Sequence, residues 1–158
     1  MNKFLLVLSL TLVLFACKSS TPSLSPKSSR STQSGFKGNW QITRVLTPGT
    51  DYFKVNSFQI ADSKCFIGST WNFIPNNNKG SFSLNQSGCT SFSSPIVWSI
   101  DKTGQFMLKI VEAGVKSKKV TQGFLLRVAN KTETSFQLID VVNIGGQNKE
   151  ITYQFEKN

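Results

Sequence analysis

The sequence has no histidine, and that absence removes the largest group of enzyme mechanisms at once. The usual Ser–His and Cys–His nucleophile pairs need an imidazole to take the proton. Acidic residues are also scarce, eight Asp and Glu against eighteen Lys and Arg. A glycosidase-type pair of carboxylates is the one catalytic arrangement that counting leaves open, and most of the eight sit in turn-like or outward positions. No catalytic residue, cofactor or metal ligand is therefore assigned, and the chain is read as a non-enzyme. Cysteine is limited to Cys17, Cys65 and Cys89. With no histidine and no third sulfur near Cys65 and Cys89, a metal site has too few donors. Long apolar runs are missing too. The longest is Phe4 to Phe15, well short of the roughly 20 residues that a membrane-spanning helix needs.

That short run is informative where it stands. Lys3 supplies a positive start, the apolar stretch follows, and Leu14-Phe15-Ala16-Cys17 closes it. A charged start, a core of this length and a small residue before the end make a signal peptide. The closing tetrapeptide resembles the lipobox of bacterial lipoproteins. The resemblance implies that residues 1–16 are a cleaved signal peptide and that Cys17 carries diacylglyceryl on its sulfur, with a further acyl chain such as palmitate on its amine. Several acyl chains make a stable membrane anchor where one does not. The plainer alternative is a secretory signal followed by a chance cysteine.

Residues 17–35 are read as the lipidated N-terminus and a flexible tether. Lys18 to Gly35 holds eight serines, two prolines, three basic residues and no acidic one, a composition that buries too little apolar surface to fold. As a coil it reaches about 23 Å. In Gram-negative lipoproteins an Asp after the lipidated cysteine commonly marks inner-membrane retention. Lys18 stands there instead, so the resemblance implies the outer membrane, facing the periplasm.

Residues 36–158 suffice for one domain with a real core. Setting aside Lys3, Lys18, Lys27 and Arg30 reduces the chain's formal net charge of +10 to +6 for this part. Lys116, Lys118 and Lys119 form its densest cluster. That cluster is either a solvated loop or an attraction point for anionic headgroups or polysaccharide. No nucleic-acid motif appears, so nucleic acid is not an expected partner. In an oxidising envelope Cys65 and Cys89 read as a disulfide, which contributes about 3 kcal/mol in chain-entropy terms; two free thiols are the alternative.

The domain is a series of strand signals. Ile151, Tyr153 and Phe155 alternate with Thr152, Gln154 and Glu156, and Ile96, Trp98 and Ile100 with Val97, Ser99 and Asp101, the period of a half-buried strand. Phe106, Leu108 and Ile110 follow across Lys102-Thr103-Gly104. Phe124, Leu126 and Val128 form another series, and Phe136 and Leu138 lead on to Val142 and Ile144. Trp71 and Phe73 face Phe82 and Leu84 across a turn at Asn76-Asn77-Asn78-Lys79-Gly80, and Gly145-Gly146 separates the last two strands. Ala61 to Phe66 reads as one short helical turn. Nine candidate strands emerge, with Phe53 to Ile60 the weakest. A meander this long closes on itself to remove its edges, so the expected fold is all-β, a single up-and-down antiparallel barrel of about eight strands.

Gly38-Asn39-Trp40, opening the first strand, resembles the Gly-x-Trp motif of lipocalins. The wider text, Cys65 to Trp71, Asn76 to Gly80 and Pro95 to Trp98, is similar to lipocalin-like lipoproteins of Bacteroidetes. The resemblance implies that Trp40 closes one end of the barrel, with Arg127 as candidate for the late arginine packed on it. It also implies a small hydrophobic ligand in the mouth of the barrel, walled by Trp40, Ile42, Trp71, Phe73, Trp98, Phe106 and Phe124. A second reading stays open: a filled barrel acting as an envelope interaction module with a protein partner and no small ligand. An eight-stranded barrel is barely wide enough to choose between side chains and a ligand.

One conflict remains in the strand pattern. Arg44 shares the parity of Trp40 and Ile42, and Asp140 that of Phe136 and Leu138, which would aim two opposite charges inward. Either they pair across the mouth and orient a polar ligand head, or a β-bulge or a position at the rim takes them out of the interior.

Overall fold

A computed structural model describes residues 29–47, 49, 54–111 and 114–158. The signal peptide, Cys17, most of the tether and Phe53 lie outside the described residues. Within them the chain runs through a short helix α1 (Ser29–Ser34), a long strand β1 (Gly38–Leu46), a small hairpin of β2 (Asn56–Ser57) and β3 (Ala61–Asp62), and then β4 (Thr70–Ile74), β5 (Lys79–Leu84), β6 (Phe92–Ile100), β7 (Phe106–Ile110), β8 (Phe124–Ala129), β9 (Ser135–Ile144) and β10 (Gln147–Lys157). Eight strands close in the order β1-β10-β9-β8-β7-β6-β5-β4, every neighbouring pair antiparallel, with β4 returning to β1. The expected up-and-down barrel is the fold.

The ninth candidate strand does not enter the wall. Residues 56–62 fold back as the β2–β3 hairpin, with Ile60 N donating to Ser57 O at 3.0 Å across a tight turn. Phe58 and Gln59 sit at φ of 52° and 58° in that turn. Both are in the left-handed region that a bulky side chain rarely enters. The helical turn expected near Ala61–Phe66 is a 3₁₀ turn at Ser63–Phe66, whose first residues are capped by the Asp62 carboxylate accepting from Lys64 N. The Asn76–Gly80 turn sits slightly earlier. Pro75–Asn77 make the turn with Asn78 left-handed, and Lys79 and Gly80 already belong to β5.

The last residues of the segment read as a tether pack against the barrel. Residues 29–34 are helical, and the Gln33 side chain is buried, its Nε2 donating to Asn78 Oδ1 at 3.1 Å. The cause is Phe36, which is 1% exposed and closes the lower end of the barrel. Its ring meets Trp98, Phe106 and Phe136 edge-on at centroid distances of 6.1, 5.7 and 4.9 Å. Burying one such ring contributes about 2 kcal/mol or more, enough to hold the few residues before it against the β4–β5 turn. Counting serines overlooked that one contact.

Trp40 stands beside Phe36 and does close this end: it is fully buried, stacks edge-on to Phe136 at 4.7 Å and donates from Nε1 to Phe36 O at 2.8 Å. Arg127 does not pack on it. Arg127 points outward and pairs with Glu150 at 2.6 Å, both side chains about half exposed. The cations over this aromatic floor are lysines instead, Lys157 above Trp40 at 5.7 Å and Lys131 above Phe36 at 5.2 Å. Both of these lysines sit where β8–β9 and β10 reach the lower rim, which puts a charge over a ring face at low desolvation cost.

Cys65 and Cys89 are joined, with Cα atoms 5.8 Å apart. The bridge ties the 3₁₀ turn after the hairpin to the β5–β6 loop, so it fixes the upper end of the barrel.

Candidate functional site

The two ends of the barrel differ. Below, alternation drives a continuous aromatic core: Trp71 lies on Phe82 at 4.4 Å, Trp98 on Phe106 at 5.4 Å, and Phe136 on Phe155 at 4.5 Å. Six of the seven residues expected to wall a ligand site, Trp40, Ile42, Trp71, Phe73, Trp98 and Phe106, are at most 3% exposed and belong to this packed core. They fill the barrel rather than line a cavity. Of the seven, only Phe124 lines the recess at the upper mouth.

That space is the upper mouth. It is a recess of about 540 Å³ between the β2–β3 hairpin and the β7–β8 loop, lined by Phe58, Gln59 and Ile60 on one side, by Phe92, Ile110 and Phe124 from the strand ends, and by Val115 and Lys119–Gln122 from the loop. The size falls in the range of small-molecule sites. Phe92, Ile110 and Phe124 occupy inward positions at the upper ends of β6, β7 and β8, where the strands diverge beyond the last β7–β8 pair, Leu108 with Phe124. The Lys109 amine donates to Val120 O at 3.1 Å and holds the loop against the strand.

Phe58 forms the floor of the recess. Although it belongs to a loop it is only 6% exposed, wedged against Phe66, Phe124 and Tyr153 at 5.2, 5.1 and 5.2 Å. The hairpin is fixed from below by Tyr153, whose hydroxyl donates to Ser57 Oγ at 2.6 Å inside the protein. Burial pushes the Tyr153 hydroxyl well above its ordinary pKa, a shift the Ser57 hydrogen bond partly opposes. A bulky residue at positive φ costs of order 1–3 kcal/mol and persists only where its surroundings hold it. Here the rings of Phe66, Trp71, Phe124 and Tyr153 and a buried hydrogen bond do so. Sequence reading missed this element because Asn56 to Asp62 carries no regular period, and its one signal, an isolated Phe between polar residues, is weak.

Arg44 and Asp140 do not meet. The register between β1 and β10 shifts between Ile42 and Arg44, leaving Thr43 as the extra residue of a bulge. Beyond it Val45 takes the inward position opposite Tyr153, and Arg44 lies exposed opposite Gln154. A one-residue bulge reverses the facing of every later side chain. Asp140 keeps its inward parity opposite Ile151 and is half-buried. Burial raises its carboxyl pKa, and its proximity in turn raises that of Tyr153. Among the described residues the ion pair shown is Arg127 with Glu150, and no group of three or more potential metal ligands occurs.

A second space of about 340 Å³ lies on the outer face of β6–β8, where Met107 and Leu125 stand half-exposed and directly opposite each other. It is a surface groove that shares Thr121 and Phe124 with the lining of the mouth.

No family model matches the sequence, and no curated protein matches it. Solved structures with a similar fold include bovine odorant-binding protein in complex with undecanal, at 13% identity over 78% of this chain and 71% of that one, with a TM-score of 0.45. Odorant-binding protein from bovine nasal mucosa is similar at 14% identity over 79% and 72%, with a TM-score of 0.46. A further odorant-binding protein gives 10% identity over 80% and 73%, with a TM-score of 0.47. Each is a likeness in the course of the chain around a barrel.

Proposed function

We propose that this chain is a lipocalin-like lipoprotein of the bacterial envelope that binds a small hydrophobic molecule in the upper mouth of its barrel. The observation that carries the reading is the contrast between the two ends. One is sealed by Phe36 and Trp40, and the other keeps an open recess of about 540 Å³ where aromatic and aliphatic side chains share the walls with Gln59, Lys119, Thr121 and Gln122. A protein that needed only a stable barrel would gain from filling that space, because apolar wall left facing water forgoes burial energy. The mouth is where the sequence reading placed the ligand, but apart from Phe124 its walls come from other residues than those named there. The test is uptake of a neutral naphthylamine dye by the purified protein, with mass spectrometry of the organic extract for a co-purified lipid. Saturable one-to-one uptake supports the reading, and its absence together with an empty extract refutes it.

The anchor is part of the same proposal and rests on residues 1–35 of the sequence. Signal-peptide cleavage before Cys17, lipid on Cys17, and Lys18 in place of an Asp favour attachment to the outer membrane on the periplasmic side. Cys17→Ala should leave the precursor uncut or release the protein into the soluble fraction. Processing and membrane retention like wild type would contradict the anchor.

The packed lower barrel favours a second reading, an interaction module that uses the barrel as a rigid scaffold for an envelope protein partner. The half-exposed Met107 and Leu125 are the apolar residues such a partner would cover. Dye uptake separates the readings, since a module has no reason to bind the dye.

A further inference from the structure

The recess has a chemical polarity that the binding reading does not require. Among the described residues that line it, Lys119 is the single charged one and none is acidic. Lys119 is exposed at the outer lip, on the 3₁₀ turn Ser117–Lys119, with Lys116 and Lys118 in the same segment. The two lysines nearest in role differ: the Lys109 amine is tied to Val120 O, whereas the Lys119 side chain has no hydrogen bond or ion pair among the described residues. An ammonium at the lip of a recess with aromatic and aliphatic side chains in its walls is a point at which an anionic group can settle without leaving water. Opposite the lip, the recess ends at Phe58, held in a left-handed conformation that nothing in a simple loop demands.

Resting on the binding reading above, we propose that the mouth takes a single-chain amphiphile with an anionic head. The head sits at Lys119, the chain lies along Phe92, Ile110 and Phe124, and Phe58 is the stop that sets how much chain fits. A carboxylate and a phosphate head share the chemistry Lys119 offers. An ammonium is a compact point charge and selects for charge rather than for a planar fork. The strain in the β2–β3 turn has a use on this account, because it drives the Phe58 ring down into the barrel and closes off the packed core from the ligand. An amphiphile entering head-outward leaves its charge in solvent, so no buried counter-ion is needed.

The experiment uses residues 17–158 with Cys17→Ser, so that neither detergent nor the protein's own acyl chains compete. Displacement of the neutral naphthylamine dye is followed for dodecanoate, dodecyl phosphate and dodecanol. Both anions should bind more tightly than the alcohol by about two- to fivefold, the range of an exposed ion pair, and the preference should shrink as salt is raised. Whichever anion binds more tightly identifies the head. In Lys119→Gln the preference over the alcohol should vanish. In wild type the affinity of a series of carboxylates should stop rising beyond a limiting chain length. Phe58→Gly, which suits the left-handed turn and removes the ring, should move that limit to longer chains. If alcohol and anions bind alike, or if Lys119→Gln keeps the preference, the head assignment is wrong while ligand binding stands. If Phe58→Gly leaves the limit where it was, Phe58 is not the stop. If the dye itself does not bind, the binding reading falls and this inference falls with it.

Discussion

Breaking the Ser57–Tyr153 hydrogen bond from one side at a time should loosen the β2–β3 hairpin, and breaking it from both sides should cost less than the sum. Tyr153→Phe keeps the ring, with its contacts to Phe58 and Phe66 at 5.2 and 6.1 Å, and removes only the hydroxyl. It leaves Ser57 Oγ without its donor in a residue that has no exposed surface. Ser57→Ala does the reverse to the Tyr153 hydroxyl. A buried polar group deprived of its partner costs about 1–3 kcal/mol, while removing both partners together is nearly neutral. Each single variant should therefore lose about 1–3 kcal/mol in urea unfolding followed by tryptophan fluorescence, with an unchanged slope against denaturant. The double variant should lose no more than the worse single, a coupling of about 1 kcal/mol or more. The pH dependence gives an independent reading. The folded pKa of Tyr153 is raised above the unfolded value near 10,. The folded state then keeps a proton that the unfolded state releases, and stability falls as pH rises past about 10. Tyr153→Phe should remove that part of the alkaline loss, visible as a smaller drop than wild type over the same range. Additive single losses, or equal alkaline slopes in the two proteins, would refute the claim that this bond seats the hairpin.

Reducing the Cys65–Cys89 bridge, or replacing both cysteines with serine, should lower stability by about 3 kcal/mol in urea, from the closed loop between positions 24 residues apart,; an unchanged midpoint would mean that the upper end is held without it. Asp140→Asn should stabilise the protein at neutral pH. Burial raises the folded pKa of Asp140, so its favourable neutral form is fully present below about 3.9 and is lost as pH rises through the folded value. The gap between variant and wild type should close at low pH, and Arg44→Gln should add independently in a double-mutant cycle, whereas coupling between the two would restore the pairing that the bulge at Thr43 excludes. Phe36→Ala should cost about 3–5 kcal/mol in thermal or urea unfolding, the range for emptying a buried aromatic site, and should release residues 29–35 to rapid proteolysis; a near-neutral result would return them to the tether.

The barrel itself was legible because period-two alternation is a local signal repeated in every wall strand, and because antiparallel strands joined by short turns leave few ways to close. Trp40 closing one end and the Cys65–Cys89 bridge were legible for similar reasons, a strand-opening motif and an isolated pair of cysteines. The site was not. Inward parity places Trp71, Phe73, Trp98 and Phe106 inside, but whether inward aromatics touch each other or a ligand depends on how eight strands and two plugs converge, which no single strand records. The bulge at Thr43 is invisible for the same reason, since the residues on either side fit a continuous strand. Gly80 misled in the other direction. It reads as the end of a turn, yet it pairs with Phe73 inside the sheet, where an added Cβ would collide with the Asn72 carbonyl and crowd Ile96. Close approach of backbones, not turn chemistry, calls for glycine there.

The account stands on the mouth of the barrel being the place where a small apolar molecule is held. Photolabelling of the protein with a diazirine-bearing fatty acid, followed by peptide mapping, tests that place directly. Saturable adducts confined to residues 58–60, 92, 110 and 115–124, and competed away by unlabelled dodecanoate, are the predicted result. Adducts centred on Met107 and Leu125 at the outer groove, or labelling that never saturates, would contradict it.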